Sequence, residues 1–181
     1  MALSPARDQP VMDTQTTIAV DVGERRFTDL WRSRVVSPPS PDGAAVYAEL
    51  CRLYTAPYRR YHNLGHIHDC LRLVDEVSSL LIDRDAVEFG VWFHDAVYDT
   101  GVNNNAWRSA ELFLERSAGA SFVFRHRVCG HILATRHTRT ARGNDRCFLV
   151  DIDLSGFGAP RDEFMRNGEL LREASSSQTD A

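Results

Sequence analysis

Apolar residues recur along most of this chain at intervals of three and four. Val46, Tyr47, Leu50, Cys51 and Tyr54 form one such stripe from Ala44 onward, the pattern of an amphipathic helix. Ile67, Cys70, Leu71, Val74, Val77 and Leu81 form a second, which predicts a helix over about 63–81 with Asn63 as its N-cap. A shorter stretch around Phe27, Leu30 and Trp31 has the same spacing and stops before the run SPPSPDG, whose prolines and glycine forbid helix continuation. The segment AVEFGVWFHDAVY is apolar almost all round and predicts a helix at the centre of the fold, with a buried strand as its rival. Asparagines 103–105 could cap a helix carrying Ala106, Ala110, Phe113 and Leu114, and Phe124, Val128, Cys129 and Ile132 continue the helical theme. TRTARGND reads as a loop, and CFLVDIDL is too short for periodicity to type. No alternating hairpin or repeat interrupts the stripes, so the expected class is all-α.

Composition narrows this picture only slightly. The chain has 181 residues, 43% hydrophobic and 25% charged, enough apolar material for one core. Residues 1–24, rich in Pro, Asp, Thr and Gln, read as a mobile leader, 25–174 as the helical domain and 175–181 as a polar tail. A net charge of -4 gives no global basic surface, so no obligatory nucleic-acid partner is expected. Cys51, Cys70, Cys129 and Cys147 form no CxxC pair, which argues against a zinc ribbon or a thioredoxin-type motif. No stretch approaches the roughly 18 apolar residues of a membrane span, so no membrane partner and cytoplasmic residence with reduced thiols are expected.

Three places carry candidate chemistry. His62 and His66 lie four apart where a helix begins, which sets both on one face. His94 and Asp95 sit inside the most apolar segment, where an unpaired carboxylate costs several kcal/mol or more. Asp151 and Asp153 are again carboxylates among apolar residues. Salt bridges would serve each group separately, but the apolar runs hold no lysine or arginine to make them. One cation held by imidazole and carboxylate from all three places would satisfy them together.

The ordered motifs YHNLGHI, WFHDAVYD and DIDLSGFG resemble the predicted metal-dependent HD superfamily phosphohydrolases of bacteria. They are more distantly similar to cyclic-nucleotide phosphodiesterases with their YHNxxHA, HD and ADLS motifs. The resemblance runs from about Leu30 to Gly158 and implies an HD-domain helical bundle. By that likeness His66, His94, Asp95 and Asp153 are metal ligands, with Asp151 the competing final aspartate, and His62 is the general acid that protonates the leaving oxygen. Supporting hydrogen bonds to the ligands are the alternative role for His62. Asp95 is counted as catalytic as well as ligating.

The resemblance implies hydrolysis of a small phosphomonoester or phosphodiester, a nucleotide among the candidates, by water activated at a divalent ion. The mixed nitrogen and oxygen donors suit Mn, Fe, Co, Ni or Zn, with Mg less favoured. Asp151, Asn63, His131 and His137 are candidates for supporting the ligands or binding phosphate, although His131 and His137 read more simply as exposed helix-end histidines. Arg136, Arg139 and Arg142 could clamp phosphate, against the simpler reading of a solvated basic loop. Trp92, Phe93 and Tyr98 read as core rather than as stacking platforms.

Two departures from the family pattern carry expectations of their own. Ala106 stands where relatives carry an acidic residue, and relatives continue with further helices where this sequence reads RNGELLREASSSQTDA. Apolar helix faces left uncovered there would drive homodimerisation. A metal-binding or ligand-sensing domain with weak or no turnover is the alternative function.

Overall fold

The structure is a computed structural model that describes residues 14–176. Eight α-helices follow one another with no strand among the described residues, so the chain is all-α. They are α1 (Thr14–Arg34), α2 (Gly43–Tyr54), α3 (Leu64–Glu76), α4 (Arg84–Phe93), α5 (Asn105–Arg116), α6 (Phe122–Ala134), α7 (Asn144–Asp153) and α8 (Arg161–Ser176). Short 3-10 turns cover Ser78–Leu80 and Leu154–Gly158. None of the described helices is long and apolar enough to cross a membrane.

The segment that is apolar on every side becomes α4, buried from Ala86 to Phe93 and packed on α3, α5, α6 and α7. Asp83 starts it by accepting the Ala86 N–H, as an N-cap should. Its strand rival fails because the buried run has helical neighbours on all sides and its backbone N–H groups must be satisfied internally. Around it Phe27 is the hub of an aromatic cluster, 5.4 Å edge-on to Trp92 and 5.6 Å stacked on Trp31. Trp92 and Phe93 are core residues, as their setting among apolar neighbours implied. The one carboxylate inside the run, Glu88, is satisfied by Arg26 of α1 at 2.7 Å.

Several boundaries differ from the periodicity. Residues 1–13 of the expected leader lie outside the described residues, but 14–24 belong to α1. Phe27, Trp31 and Arg26 anchor the later turns of that helix, and adding a residue to an anchored helix gains a hydrogen bond without a new nucleation cost. Residues 14–24 carry too weak an apolar periodicity to mark those earlier turns. The second stripe ends as α3 at Glu76, with the 3-10 turn carrying the chain on to Leu81. CFLVDIDL is helical and forms most of α7. Ser175 and Ser176 of the expected tail lie in α8, while 177–181 lie outside the described residues. The asparagine run does not cap α5 with a side chain; Asn105 instead donates to the Asp99 carbonyl at 2.7 Å and accepts the Asp99 N–H.

The proline loop docks against the turn between α5 and α6. Gly119 donates its N–H to Ser40 Oγ at 2.6 Å, and a Cβ on Gly119 would fall 1.7 Å from the Ser37 carbonyl oxygen. Backbone on backbone leaves no flexible end to yield. Gly119→Ala is therefore expected to lower unfolding free energy by about 1–3 kcal/mol, the usual cost of overpacking. Urea denaturation checks this, and a variant within about 0.5 kcal/mol of wild type would show that the loop is not held there.

Candidate functional site

Asn63 accepts the N–H groups of Gly65 and His66, so α3 starts where its capping chemistry requires and His66 enters the first turn. The expectation for Asn63 as N-cap holds, and its side chain serves the backbone there. His94 is not inside α4 but caps its C-terminal end, and Asp95 follows in the turn. Asp153 is the last residue of α7. Three helix termini thus converge on one point, where side chains can leave the helix cylinder and meet.

The geometry at that point is tight. His66 Nε2 lies 3.4 Å from His94 Nε2, and Asp153 Oδ1 lies 3.3 Å from each of them. Asp95 Oδ2 is 3.4 Å from His94 Nε2 and 3.8 Å from His62 Nε2. Asp95 therefore sits between His94 and His62, beside the triangle rather than within it. Asp151 is exposed and takes no part, which separates it from Asp153.

The tautomer of His94 follows from its other nitrogen. Nδ1 is 2.9 Å from the Val91 carbonyl, which can only accept, so Nδ1 carries a proton and, in the neutral ring, Nε2 presents a lone pair. In a ring only 2% exposed, that lone pair meets a second imidazole nitrogen and two carboxylate oxygens. Where that lone pair faces carboxylate oxygens, a proton or a metal between them relieves the repulsion, and His66 Nε2 can itself donate because no hydrogen bond fixes its tautomer. Burial works against a charged His94, yet Asp95 and Asp153 outweigh it and hold its pKa well above the ordinary value. Burial likewise works against an ionised Asp153, but His94, His137 and His66 keep it well below the usual carboxylate range. Asp95 is lowered against its own burial chiefly by His94 and then His62.

A metal would relieve the same conflict. For bond lengths of about 2.0–2.2 Å, donors at the tetrahedral angle lie about 3.3–3.6 Å apart, and at right angles about 2.8–3.1 Å. The three edges of the His66, His94 and Asp153 triangle match the tetrahedral spacing, and these residues could hold an ion.

His62 stacks on Tyr98 with centroids 4.3 Å apart, so Tyr98 is part of the site wall as well as half-buried. Burial pushes the His62 pKa down, with Asp95 opposing, and its Nδ1 is buried without a partner among the described residues. His137 adopts a left-handed φ of 51° that returns its ring to the site, where Nε2 lies 3.1 Å from Asp153 Oδ2. It is thus tied to Asp153 rather than simply exposed at a helix end. A cleft of about 480 Å³ opens beside these groups, lined by His62, Asp95, Asp153, His137, Arg136 and Ala106 among others. A second, of about 440 Å³, reaches His66 from the other side of Tyr61.

His131 is neither exposed nor at the site. It is 3% exposed in α6, beside Gly90, and neither ring nitrogen has a partner among the described residues. Burial drives its pKa down to about 4, with Asp145 opposing.

Arg59 is the residue that periodicity could not find. It lies in the short connection after Pro57, outside every apolar run, yet is 6% exposed. Its Nη1 donates to the carbonyls of Asp95 at 2.5 Å and His62 at 3.3 Å, and its Nη2 to Ala96 at 2.8 Å. Tyr54 and Tyr98 receive its charge on their rings at 5.0 and 5.6 Å. One guanidinium thereby fixes the backbone that carries both His62 and Asp95. The only signal in the sequence was its place three residues before His62.

Comparisons with family models, with curated proteins and with solved structures returned no match.

Arg59→Met keeps the stem but removes every donor, leaving three carbonyls without their partner. Unfolding free energy is expected to drop by about 2–4 kcal/mol, and Arg59→Lys should recover less than half because a single ammonium cannot span the fork. Guanidinium denaturation of the three proteins measures this; full recovery by lysine would refute the fork. For His131 the folded pKa lies below the ordinary 6.5, so the fold favours the neutral ring. Its contribution is complete above about pH 6.5 and is lost as pH falls towards 4. His131→Leu should therefore lose less stability across that window than wild type, by up to about 3 kcal/mol. Thermal melts at pH 7 and pH 4.5 give the comparison, and parallel losses would contradict it.

Proposed function

We propose that the chain is a metal-dependent phosphohydrolase of the HD type, acting on a phosphate ester at His66, His94, Asp95 and Asp153. The observation that carries this reading is the triangle of His66 Nε2, His94 Nε2 and Asp153 Oδ1, with edges of 3.3–3.4 Å. Its support from the sequence is the resemblance of YHNLGHI, WFHDAVYD and DIDLSGFG to that superfamily. Mn, Fe, Co, Ni or Zn suit the mixed donors better than Mg. A divalent ion bound there supplies Lewis-acid polarisation of a phosphoryl oxygen and a water acidic enough to act near neutral pH.

The protein's own groups take the remaining roles. Asp95, between His94 and His62, links the ligand group to the proton-carrying ring. His62 faces the cleft from a stacked position on Tyr98, which limits its rotation and keeps Nε2 near Asp95. Its lowered pKa leaves the free ring neutral at pH 7, and the negative charge of a bound phosphate restores proton affinity for donation to the leaving oxygen. His137 holds the second oxygen of Asp153 and so aims Oδ1 at the imidazoles. Arg136 lines the same cleft and offers a fork to phosphate oxygens.

A metal-binding or ligand-sensing domain with weak or no turnover is the second reading. Ala106 favours it, because it presents a methyl group to the cleft wall where the resembling family carries an acid.

Metal content by plasma mass spectrometry, on protein purified without a metal-binding tag, tests the reading. Near-stoichiometric metal in wild type and in Asp151→Asn, with loss in Asp95→Ala and Asp153→Asn, is the expected result. The Mn-loaded protein should then hydrolyse generic phosphomonoesters or phosphodiesters, with kcat falling by about 100-fold or more in His62→Ala. Metal without turnover selects the sensing domain, and absence of metal under any loading overturns both.

A further inference from the structure

A larger cleft, of about 1130 Å³, lies next to the proposed active site and shares Arg136 and Thr138 with it. Its walls come from α5, α6, α7 and the loop between the last two. Arg136, Arg139, Arg142 and Arg146 line it with Trp107, and none of the described lining residues is a carboxylate. All four arginines are exposed residues, and none has an ion-pair or hydrogen-bond partner for its side chain among the described residues.

The other arginines divide, and Arg52, Arg60, Arg108, Arg161, Arg166 and Arg172 likewise make no ion pair with a carboxylate among the described residues. Arg26, Arg34, Arg72, Arg84, Arg116 and Arg127 each meet a carboxylate. Acidic residues are in excess, 25 against 21 basic ones, all of the latter arginine. Four unneutralised forks around one concavity, in a protein of net charge -4, form a local positive field that focuses on the cleft. Arginine forks match phosphate oxygens bidentately.

Two further details are built into the site. Gly130 of α6 leaves room for the Arg146 guanidinium, since a Cβ there would lie 2.5 Å from its Nη2. Arg136 lies over the Trp107 ring at 5.7 Å, which places its charge at the boundary between the two clefts.

We propose that this second cleft binds the outer phosphates of an oligophosphate ester, so that the substrate of the neighbouring site carries a chain of phosphates rather than a single one. The role as part of a substrate site rests on the phosphohydrolase reading. The anion site stands on its own residues and is tested without metal.

Trp107 is the reporter. It is 48% exposed, whereas Trp31 and Trp92 are 2% and 0% exposed, so a ligand in this cleft changes the accessible part of the tryptophan emission. Inorganic tripolyphosphate is titrated into the full chain with a chelator present, and emission and iodide quenching are followed. A saturable change is expected, absent in Trp107→Phe, with affinity weakened about tenfold or more in Arg139→Gln/Arg142→Gln and reduced by added salt. Gly130→Ala, whose clash falls on the movable end of a side chain, should fold normally by its thermal melt and also bind more weakly. Orthophosphate should bind at least about tenfold less well than tripolyphosphate, because it engages fewer forks.

A nucleoside triphosphate with equal affinity assigns recognition to the phosphate chain, and tighter binding adds the base; both support the proposal. No emission change, or binding indifferent to the arginine substitutions, overturns it. So does a single-stranded oligonucleotide that binds more tightly than tripolyphosphate with affinity rising with length, since that assigns the cleft to nucleic acid. None of these outcomes depends on metal uptake at His66, His94 and Asp153, so either reading can fail alone.

Discussion

Everything at the candidate site depends on one hydrogen bond that removes a choice of proton position. The Val91 carbonyl takes the Nδ1 proton of His94 and so turns the Nε2 lone pair towards Asp153, Asp95 and His66. Burial denies that lone pair water, and Asp95 and Asp153 offer it only further acceptors. A proton on His94 Nε2 or a larger cation at the centre relieves the repulsion between that lone pair and the carboxylates. Because Val91 and His94 both belong to the end of α4, the most enclosed helix of the fold, the direction of the lone pair is as rigid as the core itself.

Around this point the fold spends its other polar contacts on position. Asn63 caps α3 and fixes His66, Arg59 gathers the carbonyls next to Asp95 and His62, and His137 holds the outer oxygen of Asp153. Each is a short connection between helices rather than a helix interior. The helices supply rigidity, and their termini supply side chains free to converge.

That division also decides what could be read from the sequence. Amphipathic stripes are a property of helix faces, so α2, α3, α5 and α6 and the central place of α4 were legible. The early turns of α1 carry only weak apolar periodicity, and CFLVDIDL was too short to type, so both were invisible. The site followed a different rule. Carboxylates among apolar residues needed a partner, and convergence with His66 and His94 on one cation was the expected solution; the structure brings Asp153 to both imidazoles, leaves Asp95 beside them and exposes Asp151. Choosing Asp153 over Asp151 by a family motif agrees with exposure, since Asp151 points to solvent and Asp153 into the cleft. Arg59, the buried setting of His131 and the return of His137 escaped notice because they depend on chain reversals that no pattern of spacing encodes.

The most direct test of a cation at the helix termini is anomalous X-ray diffraction from crystals of the chain loaded with Mn. A cation held there gives one strong anomalous peak within bonding distance of His66 Nε2, His94 Nε2 and Asp153 Oδ1, at about 2.0–2.2 Å from each. A map with no peak there from a fully loaded crystal, and with the His94 Nε2 to Asp153 Oδ1 contact closed by a proton alone, would contradict metal binding at the helix termini.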